Sequence, residues 1–396
     1  MKPETINFLY TNIGRGHPFY LDGVIEALIR KASIGLVRGE SDVLETSRGI
    51  SYLGWKAVHL AYRWGSLGGR VGRAYSRFRS KSDYNRSVIV RHLLGRSIRI
   101  RYMNDKSPLM VAHPILVAAL KGKGQLFYQH GENVVPDEAQ VEGAMKVFVP
   151  TDEAAWRFTE YGYTDNDVVI TGLCVEPSLV RQADDAYEMR VARIGGTRPL
   201  AGAFYSSGAE PKQHVEKLAI AAVSAVQAGG KVIVFSRMKG ALAKTCNRFF
   251  LDRGIGFNVL DSRRPFPGEF PPALIVISKS RREESIFTAK LFGRFDYIVA
   301  PSHERTNWGL GLGLPMFIVG PETGSFAPLN RELLLVAGVA RQIKTRDNAV
   351  SFGHDLNVVR SDGSLLAMAE AGWGKQSING FETIADYLVE SYASGM

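Results

Sequence analysis

The chain starts the same local pattern twice: a short apolar run, a turn rich in glycine or serine, then a helix with a one-sided apolar stripe. The first start is the run 6–11 and the loop Asn12-Ile13-Gly14-Arg15-Gly16-His17-Pro18. In the helix that follows, Leu21, Val24, Ile25, Leu28 and Ile29 keep the i, i+3, i+4, i+7, i+8 spacing of a core-facing stripe. The second start is the run 200–205, the turn Ser206-Ser207-Gly208-Ala209-Glu210-Pro211 and an amphipathic helix over 214–226. Strand, glycine turn and helix together open a Rossmann-type unit, so two such units are predicted. Length agrees, because 396 residues exceed one ordinary core and suit two domains of roughly 150–200 residues.

Further strands are expected at 109–111, 125–128, 146–149 and 168–171, with a helix at 153–161. In the second half they are expected at 231–235, 273–278, 297–300 and 315–319. Strands alternating with helices indicate parallel sheets covered on both faces. The polar stretch 181–198 holds Gly195-Gly196 and precedes Pro199, and it reads as the linker. The expectation is an α/β chain of two Rossmann-like domains facing a central cleft, 1–180 and 196–379. A terminal helix in 380–396, with Phe381, Ile384, Leu388 and Tyr392 on one face, would pack back on the first domain.

Hydrophobic residues at 45% and charged residues at 22% exclude a disordered chain. The longest apolar runs, such as 273–277, have strand length and fall short of the ~18–20 residues of a membrane span. The first residues carry no apolar signal core, which predicts a cytoplasmic protein. Cys174 and Cys246 lack the spacing of a disulfide framework or zinc site, so no metal is expected.

Charge is concentrated. From Trp55 to Lys106 there are thirteen Lys and Arg against Asp83 and Asp105, which accounts for the whole net charge of +10. Trp55, Tyr62, Trp64, Tyr75 and Phe78 are interleaved with them. Such a mixture suits an anionic lipid surface or nucleic acid, or is a solvated basic face. No nucleic-acid motif accompanies it. Trp55, Arg63, Trp64, Arg70, Arg73 and Arg77 are the candidate membrane-facing residues, placing the protein on the inner face of a membrane.

Three constellations can carry chemistry. Gly14, Arg15 and Gly16 let a ligand approach the backbone before a helix N-terminus, and His17 stands at the mouth, able to take a proton near neutral pH. The alternative is a tight turn whose histidine caps or packs. Ser206, Ser207, Gly208 and Ala209 form the matching turn and suit a diphosphate, or else are a routine turn with serine N-caps. The third runs from Ala300 through Glu304, Thr306 and Trp308 to Gly313-Leu314-Pro315, then Gly324, Ser325 and Asn330, released at a strand's carboxyl end where α/β sheets bind ligands. His59, His92, His214 and His354 read as structural or exposed.

These segments, in this order, resemble the GT-B glycosyltransferases that include the peptidoglycan lipid II UDP-N-acetylglucosamine transferase and the monogalactosyl- and glucosyl-diacylglycerol synthases. Gly14–Pro18 carries the resemblance first, followed by His130-Gly131-Glu132-Asn133 and by Val147-Phe148-Val149-Pro150-Thr151-Asp152-Glu153 running to Gly172. Ser206–Ala209 and the stretch from Ala300 to Asn330 complete it. The resemblance implies that His17 is the general base, with Gly14, Arg15, Gly16, His130 and Glu132 on the acceptor side. It implies that Ser206, Ser207, Gly208 and Ala209 cradle the donor diphosphate, that Ile286 and Phe287 lie against the base, and that Glu304, Thr306, Gly324 and Ser325 contact the donor. Asn330 would begin the helix below the sugar. The implied reaction is metal-independent inverting transfer from a nucleotide sugar, expected to be UDP-linked, to a lipid or other membrane-associated acceptor, with no cofactor. Three positions depart from the pattern. Trp308 replaces the ribose-binding glutamate, Phe326-Ala327-Pro328 replaces a polar pair, and Cys174-Val175-Glu176 removes a cation. The alternatives are a non-catalytic nucleotide-sugar or lipid-binding protein of the same fold and a UDP-sugar 2-epimerase.

Overall fold

The computed structural model describes residues 5–11, 16–31, 33–65, 72, 77, 83–263 and 271–392. The chain divides into two compact units, the first taking in Met1–Pro177, Gly324–Phe326 and Ser377–Met396, the second Ser178–Thr323 and Ala327–Gln376.

The first unit is built on a parallel sheet of β1 (Ile6–Tyr10), β2 (Val37–Asp42), β3 (Leu109–Val111), β4 (Leu126–Gln129), β5 (Lys146–Val149) and β6 (Val168–Ile170), in the order β2-β1-β3-β4-β5-β6. The helix Gly16–Arg30 buries Leu21, Val24, Ile25 and Leu28 of the expected stripe, while Ile29 at its edge is exposed. It packs with the helix Gly380–Tyr392, whose Phe381, Ile384 and Leu388 enter the same apolar cluster as Phe8 and Phe127. The opposite face of the sheet holds a second cluster that includes Leu9, Trp55, Leu94, Val111 and Phe158.

The second unit repeats the plan with β7 (Ala201–Tyr205), β8 (Lys231–Arg237), β9 (Phe257–Leu260), β10 (Ala273–Ser278), β11 (Tyr297–Ala300), β12 (Met316–Val319) and β13 (Ala340–Ile343). The order is β13-β12-β11-β7-β8-β10-β9, and every pairing is parallel. The central strands are buried on both faces, as near-continuous apolar runs require.

The expected linker is not a linker. Residues Ala183–Gly195 form a helix of the second unit, which therefore begins at Ser178 rather than at 196. Its buried positions Ala183, Ala186, Arg190 and Ile194 step by three and four residues, and the polarity of the segment hid an inward-facing arginine. Arg190 donates to the carbonyls of Phe295 (3.0 Å), Leu312 (2.7 Å) and Gly313 (3.1 Å), tying two turns together. Burial lowers its pKa to about 9, so it stays charged at neutral pH.

The basic stretch also needs a correction. Trp55, expected to face a membrane, is 0% exposed, and its indole N–H donates to Leu94 O (3.1 Å). On the helix Gly49–Gly65 the buried side is Ser51 and Trp55, with Val58 and Tyr62 packed against the core, while Arg63 and Trp64 point outward. Arg77 is exposed; Arg70 and Arg73 lie outside the described residues. Among the described residues no helix is long and apolar enough to cross a membrane.

Arg190→Ala would leave three buried carbonyls without their donor, and thermal unfolding of the full chain should show a loss of about 3 kcal/mol or more. Arg190→Lys should recover only part of it, because one ammonium cannot reproduce the planar fork. An unchanged transition would contradict the clamp.

Candidate functional site

In an open parallel sheet, ligands bind beyond the carboxyl ends of the strands where the strand order reverses. The first unit reverses between β1 and β3, the second between β7 and β11. Each reversal point carries a polar constellation.

In the first unit, His17 follows β1 in the first turn of the helix Gly16–Arg30. Its Nδ1 lies 2.7 Å from the carbonyl of Ala112, at the carboxyl end of β3. A carbonyl only accepts, so Nδ1 carries the proton and the neutral ring keeps its lone pair on Nε2. His113 packs beside it with ring centroids 4.2 Å apart. His113 Nδ1 accepts from Ile115 N (3.1 Å), capping the helix Pro114–Ala119 and assigning its own proton to Nε2. The two imidazoles thus have opposite polarity at Nε2, one acceptor and one donor. Sequence reasoning missed His113; its place just after β3, before a proline, was the available signal.

Gly16 is closely approached. A Cβ there would lie 3.1 Å from Glu132 Oε1, so the Glu132 carboxylate rests against the first residue of the helix, where the dipole favours negative charge. This helix start already faces an anion of its own chain. Gly131 is required, since a Cβ would enter the Tyr20 ring at 2.1 Å. Gly14 and Arg15 lie outside the described residues.

His130 directly follows the end of β4 and is buried. Its Nε2 donates to Val134 O (3.2 Å), its Nδ1 meets Tyr128 OH (3.1 Å), and Phe158 packs edge-on at 5.2 Å. Burial lowers its pKa to about 4 and raises that of Tyr128, so both stay neutral near pH 7. Gly324 and Ser325, expected at the donor, group with the first unit, where Ser325 Oγ donates to Glu138 (2.5 Å).

In the second unit, Ser206 and Ser207 leave the end of β7. The serine N-cap alternative does not hold: the helix Lys212–Gln227 is capped at Pro211 without a side-chain hydrogen bond. Both serine Oγ atoms are buried with no hydrogen-bond partner, and Ser206 is 7% exposed. Glu210 takes a left-handed backbone (φ 47) and turns its carboxylate to Ala241 N (2.6 Å) at the start of the helix Ala241–Asp252. The acidic side chain in this turn is thereby committed elsewhere.

At the carboxyl end of β11, Arg305 sits in a buried cluster. It donates to Glu284 (2.6 Å) and Glu304 (2.9 Å), and its guanidinium lies over the Tyr205 ring at 3.9 Å. Its Nε is buried without a partner. Tyr205 is fixed in turn by stacking on Phe235 (4.4 Å) and by a hydrogen bond with Thr288 (2.9 Å). The arginine stood within the third motif, but nothing in the spacing revealed its partners Glu284 and Tyr205. Trp308 explains its own departure from the pattern: it is a core side chain packed on Tyr205 and Phe292.

The other predicted donor residues divide. Ile286 is exposed, whereas Phe287 on the same helix, Arg281–Leu291, turns inward. Thr306 is buried and donates to His303 O (2.5 Å). Asn330 does not begin a helix; it lies buried in the second turn of Phe326–Val336 and donates to Ser302 O (3.4 Å). His214, read as structural, is buried and donates from Nε2 to Pro321 O (2.6 Å), with a pKa lowered to about 4 by burial. Among the described residues no group of three or more His, Cys, Asp or Glu is arranged to hold a metal ion.

No protein-family model and no curated protein sequence matches the chain. Solved structures share its architecture. A putative UDP-N-acetylglucosamine 2-epimerase from Listeria monocytogenes gives a TM-score of 0.54 at 11% identity, covering 98% of this chain and 95% of that one. The S. aureus MnaA–UDP co-structure gives 0.52 at 12% identity, covering 98% and 96%. Phytolacca americana UGT2, complexed with UDP-2fluoro-glucose and pterostilbene, gives 0.50 at 12% identity, covering 98% and 99%. The fold is GT-B. Within the GT-B fold the two reversal points are the places where the sheets can offer a ligand polar groups.

Neutral buried histidines make the fold acid-sensitive. With folded pKa values of about 4 against about 6.5 unfolded, His130 and His214 contribute stability that is complete above pH 6.5 and is lost as pH falls toward 4. Each contributes about 3 kcal/mol across that window. Chemical denaturation between pH 7 and 4 should show this slope, and His130→Gln should reduce it. An equal slope in the variant would contradict the assignment.

Proposed function

We propose that the chain is a glycosyltransferase that moves a sugar from a nucleotide donor, UDP-linked, to a lipid or other membrane-associated acceptor. The observation that carries this reading is the pair of buried, unpartnered hydroxyls of Ser206 and Ser207 at the reversal point of the second sheet. A buried hydroxyl without a partner costs about 1–3 kcal/mol, and such a cost is tolerated where a ligand completes the bond. Ahead of the 16-residue helix Lys212–Gln227, the ligand that fits is an anion rich in acceptors, and a diphosphate supplies one. Ile286 is available to the base. Glu304, held by Arg305, is the carboxylate this reading assigns to the ribose side.

In this reading the acceptor hydroxyl oxygen attacks the anomeric carbon on the face opposite the diphosphate. The bond from that carbon to the diphosphate oxygen breaks with its electron pair, and configuration inverts. The acceptor proton passes to Nε2 of His17, the atom left with a lone pair by the Ala112 bond. Amides around Ser207–Ala209 stabilise the leaving diphosphate, so the reading calls on no metal.

A UDP-sugar 2-epimerase is the second reading, and the comparisons favour it as much: one of the three structures above is a putative UDP-N-acetylglucosamine 2-epimerase, beside one glycosyltransferase-fold protein bound to a UDP-sugar analogue. Acceptor dependence separates the two. An epimerase exchanges the C2 hydrogen of a UDP-sugar with D2O without an acceptor; a transferase does not.

Calorimetry with UDP should give saturable binding in the wild type, weakened about tenfold or more in Ser206→Val/Ser207→Val. His17→Ala should keep UDP affinity within about twofold and lower kcat by about 10²–10⁴-fold. UDP affinity unchanged in the double serine variant would overturn the donor assignment. Binding without turnover on any UDP-sugar would leave a non-catalytic binding protein of the same fold.

A further inference from the structure

The helix Gly49–Gly65 has two apolar sides. One, with Ser51 and Trp55, is buried. The other carries Ile50, Leu53, Leu60 and Trp64, which are 56%, 64%, 46% and 57% exposed. With Ala57 completing the row, these positions step by three, four, three and four residues, so they form one continuous stripe along the helix. Solvent-facing apolar residues usually occur singly; a stripe along a whole helix marks a surface that is covered in use.

We propose that this stripe lies in the interfacial layer of an anionic lipid bilayer. Charge selects the occupant. Lys56 and Arg63 are exposed on the same helix, and Arg86, Arg91, Arg96 and Arg101 are exposed on the segments that follow. The helices of those segments pack against it, Ser51 Oγ and the Trp55 indole both donating to the stretch Ile89–Leu94. The only acidic residues from 55 to 106 are Asp83 and Asp105, and Asp105 is already paired with Arg38 at 2.9 Å. An apolar row flanked by cations, with a tryptophan at one end, matches the headgroup–acyl boundary of a bilayer bearing negative lipids. A protein partner would need a comparable acidic rim, and a second copy of this face would set cation against cation. The inference deepens the membrane-associated acceptor reading and depends on it for its purpose, while the surface itself is tested without any substrate.

The test is co-sedimentation of the full chain with vesicles of phosphatidylcholine alone and of phosphatidylcholine with phosphatidylglycerol. Binding is expected only to the mixed vesicles, weakening with salt, with a blue shift of tryptophan emission that Trp64→Phe abolishes. Leu53→Asp/Leu60→Asp should lower partitioning roughly tenfold or more, with far-UV circular dichroism and UDP affinity unchanged, since both positions are exposed and outside the candidate sites. Equal partitioning of wild type and double variant, or no preference for the anionic vesicles, would overturn the proposal. So would a wild-type dimer in sedimentation equilibrium that the double variant abolishes, because the stripe would then be self-covered. Lost UDP binding with intact vesicle binding would instead sink the donor reading and leave this surface standing.

Discussion

A parallel sheet can be covered on both faces only if its crossover connections change direction somewhere along the strand order. Where they change, two neighbouring strands send their following segments to opposite faces, and the backbone ends between them are left uncovered. That constraint acts twice in this chain, at β1/β3 and at β7/β11, and both candidate sites lie there. Two other strand ends are closed by hydrogen bonds of their own chain. Thr171 bonds Val149 O at 3.0 Å, and Ser236 meets Ala243 N at 3.2 Å.

The two reversal points are furnished differently, and the difference is chemical. The first holds imidazoles whose tautomers are set by backbone groups, with Glu132 against the helix start, so it is suited to moving a proton and poorly suited to a second anion. The second holds hydroxyls without partners, an arginine over an aromatic ring, and a turn whose glutamate is engaged at another helix. Its serine turn is the part suited to receiving negative charge, because Glu284 and Glu304 already pair with the arginine. A proton acceptor and an anion seat are the two groups a displacement at an anomeric carbon requires.

Much of the fold was legible because central strands of parallel sheets are buried on both faces and read as apolar runs. Tyr297–Ala300 and Ala273–Ser278 coincide with the expected ranges. The strands that escaped were Val37–Asp42, Phe257–Leu260 and Ala340–Ile343, each at the edge of its sheet. An edge strand is half-solvated, and VRGESD or ARQI carries no apolar run to find. The helix Ala183–Gly195 was hidden by the opposite effect, a charged side chain turned inward where three carbonyls accept from it. At the sites, local motifs singled out His17 and the serine turn, and His113 left a weak signal before its proline, whereas the meeting of Arg305 with Glu284 and Tyr205 is visible only in three dimensions. Trp55 and Trp64 show the same limit on the basic helix: composition joined them, and helical phase separates them.

The central claim is that the second reversal point is an anion seat awaiting its ligand. Amide and arginine side-chain NMR during a UDP titration reads it directly, since the Arg305 Nε–H and the amides of Ser207, Gly208 and Ala209 can each be followed. The account predicts that these signals shift together and saturate at one affinity. Saturable UDP binding that leaves all four unmoved would contradict it.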